Sequence, residues 1–176
     1  MSARHAPHGG SSDALSGLAF GLLTVSDTRR SDDDVSGRLM RELVSAAGHR
    51  VFATAIVPDE PPTVREQVLD WALDPACDVI VLSGGTGLSE RDRTVEAVSE
   101  LFDARIDGFG ELFRWLSFEA IGSRAMLSRA TAGVVRGRPV FLLPGSPAAV
   151  KLGLTRLVLP EVGHVVGELR RQVRGS

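Results

Sequence analysis

Apolar residues are distributed along the chain in two alternating patterns. Four segments are almost continuously apolar and stop at a group of Gly, Pro, Ser or Asp residues: LAFGLLTV, RVFATAIV, DVIVLSGG and PVFLLPGS. Short runs of this kind are typical of strands, and the most apolar of them indicate strands that are buried on both faces. The chain is therefore predicted to contain four such strands.

A helical repeat of apolar residues is the second pattern. It predicts helices in DVSGRLMRELVSAAG, PPTVREQVLDWAL, RTVEAVSELF and FGELFRWLSFEAIG, and a last helix that begins near Pro147 and continues past Leu169. Asp34 is expected to cap the first helix, and Gly48 is expected to end it. Pro160 should interrupt or kink the last helix, because proline has no backbone N–H to donate to the preceding turn.

Apolar residues recur at helical spacing in the predicted helices, and those of the last helix are expected to face inward. In the aromatic-rich fourth helix such a stripe is more often part of the core or of a subunit interface than part of a cofactor site. The predicted stripes are Val35, Leu39, Leu43 and Ala46; Phe109, Leu112, Phe113 and Leu116; and Val150, Leu154, Leu157 and Val158.

Strands that alternate with helices at this spacing predict an α/β fold. Such βαβ units make right-handed crossovers, which place helices on both faces of a parallel sheet. The less regular segment 125–138 is expected to add a short hairpin beside the sheet. The predicted boundaries are a flexible N-terminal tail at 1–17, one domain at 18–170 and a C-terminal tail at 171–176.

Length and charge narrow the classes of function. The chain has 176 residues, and 20 Lys and Arg stand against 22 Asp and Glu, for a net charge of -2. This balance argues against nucleic acid as a partner, and no apolar run reaches the roughly 18 residues that a membrane span needs. The single cysteine, Cys77, can form no internal disulfide and suits a reducing cytoplasm. We therefore expect a cytoplasmic protein that binds neither nucleic acid nor a membrane.

Candidate chemistry gathers where the predicted strands end. Parallel strands place their carboxyl ends at one edge of the sheet, which is where α/β proteins bind ligands. The segments that should meet there are Ser26-Asp27-Thr28, Pro58-Asp59-Glu60, Ser83 to Gly87, and Pro144-Gly145-Ser146-Pro147.

The glycines of SGGTG admit two interpretations. A tight turn with positive φ requires one or two glycines. Alternatively, a bare backbone lets N–H groups approach an anion near the start of the next helix. Three glycines in the four positions from Gly84 to Gly87 favour anion binding. The sequence is neither a P-loop nor a dinucleotide-binding motif.

Two carboxylates, Asp59 and Asp92, are expected at the same edge. Asp92 could simply cap the next helix, and Asp59 could be a turn residue after Pro58. Together they could instead hold Mg²⁺, which binds one or two carboxylates and takes its other ligands from phosphates and water. Position in the sequence leaves both interpretations open.

Polar and basic residues near these strand ends could contact a phosphate or a heterocycle. Hydroxyl groups could donate hydrogen bonds, and basic side chains could neutralise negative charge. A Ser-His-Asp triad is not favoured, because the histidines outside the tail are His49, at a helix end, and His164, in the last helix. The candidates are Ser26, Thr28, Ser128, Ser146, Arg129 and Lys151.

Four motifs together resemble a known family. TVSDTR, SGGTGLSERDRTVEA, MLSRATAG and LPGSPAAV occur in the order and at the intervals seen in the MogA/MoaB proteins of molybdenum cofactor biosynthesis. The resemblance extends from about Leu18 to Leu169, and the run GFGELFRWLSFEAIGSRAMLSRA is similar to the MoaB branch. One departure is Val95, which stands where the family often has a proline that starts a helix.

The resemblance implies a three-layer α/β/α domain with a mostly parallel sheet, which is the molybdopterin-binding fold, in a homotrimer or a dimer of trimers. It further implies that the protein binds molybdopterin and adenylylates its terminal phosphate, with ATP as co-substrate and Mg²⁺ as cofactor. Two alternatives remain: a non-catalytic molybdopterin carrier of the same pathway and an oligomeric scaffold.

Carried over to matching positions, the family's functional residues include three groups. Asp59 and Asp92 would be catalytic and associated with Mg²⁺, the glycine loop would hold the pterin side of the pocket, and the Ser26-Asp27 segment would border the nucleotide. The complete set of predicted substrate-binding residues is Ser26, Asp27, Thr28, Ser83, Gly84, Gly85, Thr86, Gly87, Ser128, Arg129, Pro144, Gly145, Ser146 and Lys151.

Overall fold

Six strands form one mixed sheet in a computed structural model that describes residues 15–28 and 32–174. The sheet order is β2-β1-β3-β6-β5-β4, where β1, β2, β3 and β6 are parallel and β4 and β5 are antiparallel to their neighbours. The strands are β1 (Ala19–Val25), β2 (Arg50–Val57), β3 (Val79–Ser83), β4 (Ala104–Arg105), β5 (Thr131–Val135) and β6 (Arg138–Leu143).

Helices cover both faces of this sheet. They are α1 (Val35–Ala46), α2 (Pro61–Leu73), α3 (Thr94–Ser99), α4 (Asp107–Ile121), α5 (Pro147–Gly153) and α6 (Leu159–Arg174), with a 3-10 segment at Gly122–Leu127. One apolar core lies between the sheet and α1, α4, α5 and α6, and the other lies between the sheet and α2 and α3. The predicted three-layer α/β/α fold is therefore confirmed.

Alternation along β1 shows how the two cores are built. Phe20 and Leu22 belong to the first core, whereas Leu23 and Val25 belong to the second. All seven residues of β1 are buried, because helices cover both sides of this strand. The continuous apolar run in the sequence thus reflects burial on two faces.

The buried face of α1 differs from the predicted stripe. Val35 is 54 % exposed, while Ser36 and Gly37 are buried. The Ser36 hydroxyl donates to the carbonyl of Gly145 at 2.8 Å. Asp34 caps the helix as predicted, with its Oδ1 accepting the N–H of Gly37 at 2.9 Å. The first turn of α1 therefore packs polar and small residues against the strand ends, which an apolar pattern does not reveal.

A hairpin forms in this region, but it joins β5 to the predicted strand β6 within the main sheet instead of lying beside the sheet, and residues 125–127 belong to the 3-10 segment. Arg136 and Gly137 make its two-residue turn, with φ of 50° and 75°. Positive φ at both positions is the geometry that matches the twist of a tight hairpin. The hairpin adds β5 to the main sheet, and the short strand β4, which no sequence pattern predicted, extends the edge.

Pro160 interrupts the last helix as expected. A π-helical turn at Leu154–Val158 precedes it, and α6 then continues to Arg174. The turn accommodates a residue that lacks an N–H and whose ring would meet the carbonyl of the preceding turn. The helix therefore extends past the predicted domain end at residue 170.

The N-terminal boundary also needs adjustment. Residues 1–14 of the predicted tail lie outside the described residues, but Leu15 packs against the first core. The packed domain therefore begins before the predicted residue 18. Over the described ranges, none of the helices has the length and apolar character to cross a membrane.

Candidate functional site

The predicted strand ends meet at the carboxyl edge of the sheet. The N–H of Ser26 donates to the carbonyl of Val57 at 2.9 Å, and that of Gly84 donates to the carbonyl of Leu143 at 3.1 Å. The Asp27 carboxylate accepts the N–H of Asp59 at 3.0 Å. Segments that are distant in sequence thus form one continuous edge.

The glycine loop, residues 84–87, has internal reasons for its composition. Gly84 and Gly85 have φ of 110° and 62°, a region that other residues rarely adopt. A Cβ on Gly84 would overlap the Val25 carbonyl, and one on Gly87 would lie 2.5 Å from Oδ2 of Asp92. Close approach of the protein's own groups therefore explains these glycines, and anion binding at the loop stays a prediction.

Arg129 holds this loop from one side. Its Nη2 donates to the carbonyls of Gly87 and Asp92, both at 2.6 Å, and its Nε donates to the carbonyl of Thr86 at 3.2 Å. Its Nη1 is paired with Glu96. The guanidinium was predicted to neutralise ligand charge, but its hydrogen bonds in this structure are made to the loop.

Asp59 lies half-buried beside the loop. Its Oδ1 accepts the Thr94 hydroxyl at 2.8 Å. Burial raises the pKa of Asp59, and the negative charges of Asp92 and Asp27 raise it further. The Thr94 hydrogen bond and the N–H of Arg93 oppose this by lowering the pKa. Asp59 is thus a partly desolvated carboxyl group among like charges.

Asp92 has the opposite environment. Its carboxylate accepts a hydrogen bond from the Ser89 hydroxyl, which lowers the pKa of Asp92. Burial raises this pKa, but it is lowered further by the N–H groups of Gly87 and Ser89 and by the charge of Arg129. The residue before α3 is Arg93, which makes no side-chain cap. The alternative that Asp92 caps this helix is therefore wrong.

A cavity of about 430 Å³ opens on the other side of the glycine loop, between α4, the 3-10 segment and the start of α5. Much of its wall is apolar, with Phe113, Ile121, Leu127 and Leu152 among the lining residues. A mostly apolar wall with a few polar groups suits a flat heterocycle. Five residues predicted from the sequence line it: Thr86, Gly87, Ser128, Pro144 and Ser146.

The part of this wall that α4 and the 3-10 segment form was not predicted as a site. Ser117 and Arg124 also line the cavity, next to Phe113 of the aromatic-rich helix. Their signal in the sequence was that both lie in the run GFGELFRWLSFEAIGSRAMLSRA, which contains the MLSR motif. The helical repeat of α4 had been assigned to the core or to an interface, and Phe113 is indeed buried in the first core.

Other predicted residues lie outside the cavity wall. Asp92 and Arg129 line a neighbouring hollow of about 490 Å³, and Lys151 is exposed on α5. The Ser26 hydroxyl accepts the N–H of Thr28 at 3.3 Å. Ser83 is fully buried, and its hydroxyl has no hydrogen-bond partner among the described residues. The site thus has an apolar cavity on one side of the loop and carboxylates on the other.

The carboxylates can be tested for their fit to the predicted Mg²⁺. Within residues 15–28 and 32–174, no three Asp, Glu, His or Cys side chains gather closely enough to hold a metal ion. Asp59 nevertheless senses the charge of Asp92, so a cation between them would relieve repulsion. This donor set fits an ion that takes most of its ligands from phosphates and water.

The sequence matches the family model of a probable molybdopterin binding domain over residues 21–164. The chain belongs to this family. Curated relatives in the molybdopterin-binding family include molybdenum cofactor biosynthesis protein B from Bacillus subtilis, 48 % identical over 85 % of this chain and 89 % of that protein. Its counterpart from Halalkalibacterium halodurans is 50 % identical over 84 % and 88 %.

Solved structures of the molybdopterin-binding family share the fold. A crystal structure of molybdenum cofactor biosynthesis protein B has a TM-score of 0.87 at 45 % identity and covers 90 % of this chain and 98 % of its own. The tungsten cofactor synthesizing protein MoaB from Pyrococcus furiosus has a TM-score of 0.80 at 39 % identity, over 89 % and 99 %. The resemblance inferred from the four motifs is therefore confirmed.

Proposed function

We propose that this protein binds molybdopterin in the cytoplasm and transfers the adenylyl group of ATP to its terminal phosphate. The observation that carries the proposal is the cavity beside the glycine loop, with carboxylates on the loop's other side. The apolar wall formed by Phe113, Ile121 and Leu127 would take the pterin. The hydroxyls of Ser128 and Ser146 would position its polar edge or phosphate.

The reaction needs positioning and charge neutralisation rather than a protein nucleophile. An oxygen of the molybdopterin phosphate would attack the α-phosphorus of ATP, and the bond to the β-phosphate oxygen would break to release pyrophosphate. Bringing two anions together is the main obstacle to such a transfer. The protein's task is therefore to hold both phosphates in line and to exclude water.

Residues at the carboxyl edge would divide this task. Asp59 and Asp92 would hold Mg²⁺, which when bound would neutralise phosphate charge. Within the described residues, the N–H groups of Gly85 and Thr86 donate no hydrogen bond, so they can bind a phosphate oxygen. The Ser26-Asp27-Thr28 segment would border the nucleotide, and the exposed amine of Lys151 would approach phosphate from α5.

Substitution of Asp92 tests the proposed reaction. We expect Asp92→Ala to fold normally and to bind molybdopterin, since Asp92 does not line the cavity, but to lower the rate of pyrophosphate release by about 100-fold or more. Pyrophosphate release would be measured with molybdopterin and Mg-ATP, and pterin binding by fluorescence titration.

The control is Glu60→Ala. Glu60 is an exposed carboxylate at the same edge and makes no side-chain cap on α2, so its removal should leave turnover unchanged. Wild-type turnover in Asp92→Ala would contradict the role of this residue. Tight binding of molybdopterin by the wild type without pyrophosphate release would instead identify a non-catalytic carrier.

We further propose that the protein assembles as a homotrimer or a dimer of trimers. The support is an apolar face on α4 and the 3-10 segment, where Leu112, Trp115, Phe118 and Met126 are between 51 % and 77 % exposed. Exposed apolar patches of this kind are typical of interfaces. If the protein bound neither molybdopterin nor ATP, this result would favour the function of an oligomeric scaffold instead.

A further inference from the structure

Thr94 stands at a point where three parts of the site converge. It is the first residue of α3 and is fully buried. Its hydroxyl donates to Oδ1 of Asp59 at 2.8 Å, across 35 positions of sequence. A Cβ added to Gly85 would overlap this hydroxyl and would lie 2.7 Å from Oδ2 of Asp59. Thr94 and the backbone of Gly85 therefore enclose the Asp59 carboxylate.

This hydrogen bond does not serve the helix to which Thr94 belongs. Threonine at a helix start usually caps the helix by accepting a backbone N–H, but here the cap position is Arg93, whose side chain does not cap the helix. The Thr94 hydroxyl is directed at Asp59 instead. A buried hydroxyl needs a partner, and the partner in this structure is a predicted catalytic group.

The negative charges around Asp59 explain why its orientation needs a fixed hydrogen bond. The carboxylates of Asp92 and Asp27 face Asp59 at the same edge, and Arg91 is paired with Asp27 at 3.2 Å. Without an anchor, like charges would turn the Asp59 side chain toward solvent. The hydrogen bond of Thr94 fixes Oδ1 of Asp59, while Oδ2 lies next to the backbone of Gly85.

We propose that Thr94 is a positioning residue, whose hydroxyl fixes the orientation of the Asp59 carboxylate for the reaction. The proposal rests on the proposed function for its catalytic part and on the geometry of Asp59 for its structural part. Gly85 belongs to the same arrangement, because any side chain at this position would displace Thr94 from Asp59.

Three variants test this role. Thr94→Val has nearly the same shape but no hydroxyl, Thr94→Ser keeps the hydroxyl, and Thr54→Val changes an exposed threonine of β2 as a control. We expect Thr94→Val to lower kcat for pyrophosphate release by roughly 10- to 100-fold, with KM for ATP nearly unchanged. Thr94→Ser should restore most of the rate, and Thr54→Val should match the wild type.

Crystal structures of Thr94→Val and Thr94→Ser provide a readout that needs no activity. Asp59 should occupy more than one orientation in the valine variant and a single one in the serine variant. If the wild type releases no pyrophosphate, the proposed reaction fails, but this comparison still decides whether Thr94 orients Asp59.

A single, unchanged orientation of the Asp59 side chain in Thr94→Val would overturn the proposal. So would a Thr94→Val protein that is less stable than the wild type but has the same kcat as Thr94→Ser. If Thr94→Val does not fold, Thr94→Ala removes the same hydroxyl without adding a methyl group and is compared with Thr94→Ser in the same two measurements.

Discussion

A single side chain, that of His49, connects the start of β1 to the segment that follows α1. His49 follows α1, and its Nδ1 accepts the N–H of Leu18 at 3.2 Å, while its ring lies 5.2 Å from that of Phe20. Burial lowers the pKa of His49 from its usual value of 6.5. Protonation would replace the acceptor with a donor, so the folded state favours the neutral ring.

His49 should therefore make stability depend on pH. Above pH 6.5 the ring is neutral in both the folded and the unfolded state, and its contribution to the free energy of unfolding is complete. As pH falls below 6.5, the unfolded chain takes up the proton first. Stability therefore decreases until pH reaches the lower pKa of the folded state. We expect His49→Gln, which does not titrate, to lose this part of the decrease in the free energy of unfolding between pH 7 and pH 5.

Urea denaturation at several pH values would measure the effect. His164→Gln is the control, because the side chain of His164 is 61 % exposed on α6. The same slope with pH in His49→Gln and in the wild type would show that this histidine does not couple folding to protons.

Secondary-structure elements depend on a few polar contacts that anchor them to the sheet. At the start of α1, Asp34 accepts both the N–H of Gly37 and the Thr24 hydroxyl, the latter at 2.7 Å. Thr24 is almost fully buried. Asp34→Ala should therefore lose the helix cap and leave a buried hydroxyl unpaired, at a cost of about 2–4 kcal/mol in the free energy of unfolding.

Asp33→Ala is a matched control for this prediction. Asp33 is the exposed neighbour of Asp34, and its replacement should change the free energy of unfolding by less than about 0.5 kcal/mol. Denaturant titrations of both variants would decide. Equal stabilities would mean that the cap and the Thr24 contact do not anchor α1.

The sequence located two strands well, although only β1 is buried on both faces and β2 lies at the edge of the sheet. β1 and β2 have the predicted bounds to within a residue, because their apolar runs end at sharp changes to polar residues. β4, with two residues, is too short to produce a pattern. The buried face of α1 was misplaced by one position, because Ser36 and Gly37 are buried for polar and steric reasons.

For the candidate site, the sequence predicted positions better than contacts. Strand ends had to meet at one edge in a parallel sheet, so the location followed from topology. That Arg129 would hold the glycine loop and that Thr94 would hold Asp59 depended on pairs more than 30 residues apart. No local pattern encodes such contacts, and the resemblance transferred only the residue types.

At the scale of the whole molecule, an apolar surface on α4 is exposed in the part of the chain that the structure describes. On α4, Leu112 is 51 % exposed, Trp115 61 % and Phe118 60 %. If this face forms the subunit contact, Trp115→Arg should place a charge in the interface and shift the sedimentation coefficient from that of an oligomer toward that of a monomer.

The control for this experiment is Val35→Arg, since Val35 is 54 % exposed on α1, on a different helix. That variant should keep the mass of the wild type. Circular dichroism would verify the fold of both proteins. A wild-type protein that sediments as a monomer, or an oligomer that Trp115→Arg leaves intact, would contradict this assignment of the surface.

The central position of β6 has a consequence for how the protein is made. β6 pairs with β3 on one side and β5 on the other, yet among the described strands it is the last in the sequence. A ribosome-bound chain that already contains β1 to β3 must carry the apolar edge of β3 unpaired until β6 emerges, and such open edges recruit other chains. The edge of β3 therefore stays open while the residues between Ser83 and Arg138 are synthesised, and association with other chains competes with folding during this interval.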